Sequence, residues 1–271
     1  VALGFLFVRR RDVPERFLGL AQTPLRASQL AVTDLGLAIV FAFGGAALFH
    51  IAAAHAGQRW FPAPVDGSMG IYHVVAGAAF QLGLLAGLGH AWFWHLRPSR
   101  RNRLAGQEPV AEKPASPALS RVLRGGFFTF VVSLLIVCPV AAGWKALLDL
   151  LGVDAPPQDL ITLFTKSGDA ASLSVMILLA VIVAPVTEEW IFRVGLFRWL
   201  RTRAPRGVAL FIPAVFFAMI HGNVAVLLPL AALAVVLALG YEHYGHPAVP
   251  MLAHALFNLN TVALLLAGFP A

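Results

Sequence analysis

Seven stretches of this chain are too apolar to form the surface of a protein in water: residues 30–54, 71–94, 127–148, 171–186 with continuation to 200, 208–220, 225–239 and 248–267. Several approach the roughly 20 residues that a helix needs to cross about 30 Å of hydrocarbon. Of 271 residues, 59% are hydrophobic and only 12% are charged, whereas soluble domains are about one quarter charged. In lipid every backbone polar group must be satisfied within the protein, which leaves helices or a closed barrel; unbroken apolar runs without period-two alternation select helices. The expected fold is an all-α, polytopic transmembrane helical bundle of about seven spans.

The formal net charge of +7 does not indicate nucleic acid, because the basic residues cluster beside the spans, where cytoplasmic loops of membrane proteins collect them. The clusters are Arg9, Arg10, Arg11 and Arg16; Arg97, Arg100, Arg101, Arg103, Arg121 and Arg124; and Arg198, Arg201, Arg203 and Arg206. They fall on one side of the alternating spans. A multi-pass protein of the cell membrane is expected, with the side N-terminal to residue 30 in the cytoplasm. The loop bearing Asp149, Asp154, Asp159 and Asp169 then lies outside. Cys138, the single cysteine, precludes an internal disulfide and a thiolate metal site, and reads as a small buried core residue.

The chain divides by composition into a cytoplasmic N-terminal segment (1–29), a transmembrane helix pair (30–96), a cytoplasmic linker (97–124) and a helical domain (125–271). Within the first, apolar residues 1–8 read either as the stump of an earlier span or as the end of a removed segment. The linker sequence at 97–120 mixes charge with Pro, Ala and Ser and has no periodic apolar face. Residues 155–172 hold a short amphipathic stretch around Leu160, Leu163 and Phe164.

Within the apolar background, "PVTEEWIFRVGLF" (185–197) sets Glu188 beside Glu189 and follows them with Arg193. If the span begins near Ala171, Glu188 lies roughly 25 Å along it, still within the hydrocarbon. An ionisable group at that depth costs on the order of 3 kcal/mol by insertion scales, so it faces the bundle interior or a wet cavity. The plainer alternative is that the segment is only the polar end of a span, at the cytoplasmic surface with Arg198 and Arg201. On a helix Glu189 and Arg193 share a face and can pair, which leaves Glu188 available for chemistry. Pro185 removes a backbone donor opposite Val181 and is expected to loosen the helix there.

Two further runs bring polar groups into apolar settings: His221 ends "FIPAVFFAMIHGN", and His254 and Asn258 stand four apart in "MLAHALFNLN". A shared interior site satisfies these groups better than three isolated burials. In one arrangement a carboxylate and an imidazole deprotonate a water while a second imidazole and a carboxamide stabilise an oxyanion. In another, Glu188, His221 and His254 bind a divalent metal such as zinc, with an open position for water. His50, His55, His243 and His246 read as interfacial, and His73, Gln81 and His90 as packing or helix-contact residues.

The three motifs "EEWIFR" (188–193), "FAMIH" (217–221) and "HALFN" (254–258) resemble, in order, spacing and membrane setting, the EExxxR, FxxxH and HxxxN motifs of the CPBP intramembrane protease family. That family includes CAAX prenyl proteases and bacterial relatives linked with bacteriocin processing or self-immunity. The resemblance covers about 171–267. It implies an intramembrane endopeptidase in which Glu188 and His221 activate water, His254 and Asn258 stabilise the oxyanion, and Glu189 with Arg193 supports the site; it leaves open whether a metal takes part. One departure is that Val194 stands between Arg193 and Gly195, where many relatives have glycine directly after the arginine. The implied partners are a membrane-associated peptide or protein substrate and the bilayer. The alternative is a catalytically silent adaptor or immunity protein that holds a hydrophobic peptide in the same cavity. A proton-coupled transporter ranks last, since no inverted repeat or pair of broken helices is visible.

Overall fold

The computed structural model describes residues 23–25, 28, 30–60, 71–93, 118–154 and 170–268. Expectations for residues 1–22, for 94–96 at the end of the helix pair, for 97–117 of the linker and for the amphipathic stretch at 155–169 lie outside the described residues. The helices are α1 (Val32–Trp60), α2 (Ile71–Ala91), α3 (Leu119–Leu150), α4 (Ala170–Leu178), α5 (Ala184–Glu189), α6 (Arg198–Arg201), α7 (Arg206–Met219), α8 (Leu227–Tyr244) and α9 (Ala248–Leu266). Two wide-turn π segments, Leu179–Val183 and Trp190–Phe197, enclose α5 on either side. Helix α3 begins at Leu119, inside the segment expected as linker.

Among the described residues, six helical stretches are long and apolar enough to span a membrane: Val32–Gly57, Val74–Ala91, Leu119–Leu150, Ala170–Arg201, Val224–Tyr244 and Ala248–Leu266. The chain is therefore a multi-pass helical membrane protein. The fifth apolar run, 208–220, forms α7, whose 14 residues reach about 21 Å at 1.5 Å per residue, short of a full crossing. Pro205 stands at its start, where no backbone donor is required, and at its end Gly222 adopts φ 63°, which is ready for glycine and costly for other residues.

The described structure divides into two compact units, one of Val1–Ser28, Ala118–Thr165 and Ala180–Ala271, the other of Gln29–Pro117 and Lys166–Leu179. In the second unit α1 and α2 lie backbone to backbone. A methyl group on Gly83 would strike the Gly45 carbonyl, and one on Gly87 would strike that of Phe41. Ala42 and Ala46 are buried in the same seam. Small residues permit this approach because attraction between helices in lipid comes from close van der Waals contact rather than from expelled water. His50 and His90 face this pairing: His50 Nδ1 is 3.4 Å from the Ala76 carbonyl, and the His90 ring centroid is 4.7 Å from that of Phe41.

In the first unit α3 packs along both α8 and α9, and Val137, Leu233, Leu237 and Ala253 form the common core. Gly240 leaves room for Thr129, and Gly126 for Leu252. Thr129 donates to the Gly125 carbonyl and Ser133 to the Thr129 carbonyl, each at 2.8 Å, so these buried hydroxyls need no partner on another helix. Cys138, expected in the core, is exposed on α3. One residue is about 100° of helix rotation, so the turn that buries Val137 carries its neighbour outward.

The loosening expected before Pro185 takes the form of the first π segment. Pro185 has no N–H to offer the Val181 carbonyl, and the turn there widens. Pro185 then sits in the first turn of α5, where its fixed φ suits a new helical start.

Candidate active site

Helix α5 ends in Glu188 and Glu189, and the following π segment supplies Arg193. The C-terminal end of α7 supplies Phe217, with His221 in the turn beyond it, and α9 supplies His254 and Asn258. Glu189, Arg193, Phe217 and His254 are all at most 3% exposed. Glu188 keeps a side-chain exposure of 19%, which makes it the more accessible of the two acids.

The centre is an imidazole held between two carboxylates. His254 Nδ1 is 2.9 Å from Glu189 Oε1, and His254 Nε2 is 3.8 Å from Glu188 Oε2. Glu189 Oε1 also lies 2.9 Å from Arg193 Nη1. That contact has ion-pair distance without hydrogen-bond alignment, so Arg193 Nη1 and Glu189 Oε2 are buried without hydrogen-bond partners. Arg193 Nη2 donates to the Ala234 carbonyl at 3.4 Å. The sequence assigned the two glutamates to separate tasks on separate faces; the structure joins them at opposite nitrogens of one ring.

A carboxylate only accepts hydrogen bonds, so the short contact with Glu189 assigns a proton to His254 Nδ1. The same reasoning applies to His221, whose Nδ1 is 2.6 Å from the Phe217 carbonyl. In its neutral form His221 therefore presents Nε2 as an acceptor, the state suited to taking a proton from water. Asn258 donates from Nδ2 to the Ala180 carbonyl at 2.8 Å; the amide has a second N–H on the same nitrogen.

The structure thus brings Glu188, Glu189, Arg193 and His254 into one cluster and tethers His221 to it through Phe217. Among the described residues no hydrogen bond or ion pair joins His221 to Glu188 or to His254. Nor does any group of three or more His, Cys, Asp or Glu side chains there form an arrangement able to hold a metal ion. Glu188, His221 and His254 as placed do not fit the zinc set considered from sequence: both nitrogens of His254 face carboxylates and Nδ1 of His221 faces a carbonyl.

Two roles were not assigned from sequence, that of Phe217 within the motif "FAMIH" and that of Glu242. Phe217 is the hub of the cluster, with its ring centroid 4.9 Å from that of His221, 5.9 Å from that of His254 and 4.7 Å from the Arg193 guanidinium carbon. Its position one turn before His221 was the available signal. The second is Glu242, which receives Arg201 Nε at 2.6 Å and Arg206 Nε at 2.8 Å, with the side chains of Arg201 and Glu242 at 2% and 3% exposure. By sequence both arginines belong to a basic cluster of a cytoplasmic loop; in the structure both pair with Glu242.

Fold and site together define a polytopic helical membrane protein with a buried carboxylate and imidazole centre. Residues 170–260 match the family model described as type II CAAX prenyl endopeptidase Rce1-like. The match contains all three motifs and supports the CPBP and CAAX protease family that they resemble. No curated protein and no solved structure matches the chain.

Proposed function

We propose that the protein is an intramembrane endopeptidase that hydrolyses a peptide bond near the cytoplasmic side of the cell membrane, in a substrate of the CAAX type named by the family match. The side N-terminal to residue 30 is cytoplasmic in this reading. The observation that carries it is the His254 ring set between Glu188 and Glu189 within the matched segment.

Glu188 is the base. It takes a proton from a water molecule, with His221 Nε2 as the second acceptor that orients that water. The water oxygen bonds to the substrate carbonyl carbon, and the carbonyl electrons move to oxygen. His254, when it carries a proton on Nε2, and the second N–H of Asn258 donate to this oxyanion. Collapse breaks the C–N bond, and the proton held by Glu188 passes to the leaving amine. Glu189 holds His254 Nδ1, and Arg193 offsets the buried charge of Glu189.

The test is cleavage of a membrane-anchored peptide, prenylated and unprenylated, by purified protein in liposomes. Glu188→Gln and His221→Ala are expected to lower the rate at least ~100-fold, at the lower end of general acid-base contributions. Full activity in Glu188→Gln would remove the proposed base. Retained peptide binding in that variant, with no turnover in the wild type, would favour the silent peptide-binding protein.

A further inference from the structure

We propose that Phe217 is a positioning residue that sets both imidazoles of the site, one through its side chain and the other through its backbone. The inference deepens the proteolytic reading and rests on it for its kinetic consequence.

Phe217 is fully buried, which alone would describe a core residue. Its neighbours are unusual for that role. The Arg193 guanidinium lies over its ring at 4.7 Å, and Phe192 meets it edge-on at 5.2 Å with planes 89° apart. The same guanidinium has a buried Nη1 without a hydrogen bond. An aromatic face is negative and attracts a cation, whereas an aliphatic side chain of similar bulk offers no such charge. Phe217 therefore supplies part of the electrostatic environment that keeps Arg193 beside Glu189.

That arrangement closes a ring of contacts. Phe217 holds Arg193, Arg193 lies 2.9 Å from Glu189 Oε1, Glu189 Oε1 lies 2.9 Å from His254 Nδ1, and His254 returns to the Phe217 ring at 5.9 Å. The second imidazole is governed by the same residue in another way. The Phe217 carbonyl, 2.6 Å from His221 Nδ1, fixes the tautomer of His221, while the Phe217 ring packs against it at 4.9 Å. Displacing the buried ring loosens the contacts that orient both histidines.

Two replacements separate electrostatics from volume. Phe217→Leu removes the aromatic face, and a trifluorinated phenylalanine incorporated at 217 keeps the shape while draining charge from that face. Cleavage in liposomes and imidazole nitrogen spectra are recorded for both, beside wild type and Glu188→Gln. Phe217→Leu should lower kcat about 10-fold or more, and the fluorinated residue several-fold, with KM within about threefold of wild type, as for an interaction expressed in the transition state. Both histidines should show one Nδ1-protonated tautomer in wild type, and His254 should average between tautomers in Phe217→Leu. A wild-type kcat together with unaveraged spectra in Phe217→Leu would overturn the proposal, as would a fluorinated protein that matches wild type in both measurements. If the wild type cleaves nothing, the proteolytic reading fails separately, and the spectra alone decide the role of Phe217: averaging upholds it and a single tautomer overturns it.

Discussion

At the level of single residues, the two adjacent acids differ in what their removal should do. Glu189 is wholly buried and lies 2.9 Å both from Arg193 and from His254. Glu189→Ala leaves the guanidinium of Arg193 buried beside an empty site, and breaking such a pair from one side typically costs about 3–5 kcal/mol. Thermal unfolding in detergent should show a large loss for Glu189→Ala, while Glu188→Gln, at a partly accessible position, should unfold close to wild type. Equal stability of the two variants would contradict the division between holding and reacting groups. The adjacency of the acids and their separation from Arg193 were legible in the sequence. What was hidden was that both reach one imidazole, because the partner is 65 residues away along the chain and no local spacing encodes it.

At the level of elements, Glu242 near the end of α8 ties α6 to the start of α7 through Arg201 and Arg206. Glu242→Ala should destabilise the protein by about 3–5 kcal/mol, because Arg201 stays buried without its carboxylate; Arg206→Ala, at 57% side-chain exposure, should change unfolding far less. Unfolding curves of the two variants check this, and similar losses would contradict it. Sequence reading failed here for a physical reason: positive charge beside a span is expected from topology alone, so nothing marked one arginine of the cluster as buried. A second prediction concerns α1 and α2. Gly83→Leu places a side chain against the Gly45 carbonyl and Ala46, so the helices must separate. A disulfide engineered across that seam in a background lacking Cys138 should form in the parent and fail in the leucine variant. The spans themselves were legible, since length and hydropathy suffice for them, whereas the shortness of α7 depended on Pro205 and Gly222 as boundaries.

At the level of the whole molecule, the proposed orientation rests on the distribution of arginine and is open to direct measurement. Replacing Cys138, exposed on α3, by Ser gives a background for single-cysteine labelling of intact cells. Asp154→Cys should react with an impermeant maleimide from outside, and Gly207→Cys only after the membrane is opened. The reverse pattern would overturn the proposed topology. The wide-turn segment Trp190–Phe197 bears on how this protein tolerates changes in length. It closes hydrogen bonds over five residues where an ordinary helix uses four. Loss of one residue here would therefore be absorbed by a narrower coil, leaving the acids upstream undisturbed and Arg198 and all that follows in their present facing, so the segment acts as slack in the thread.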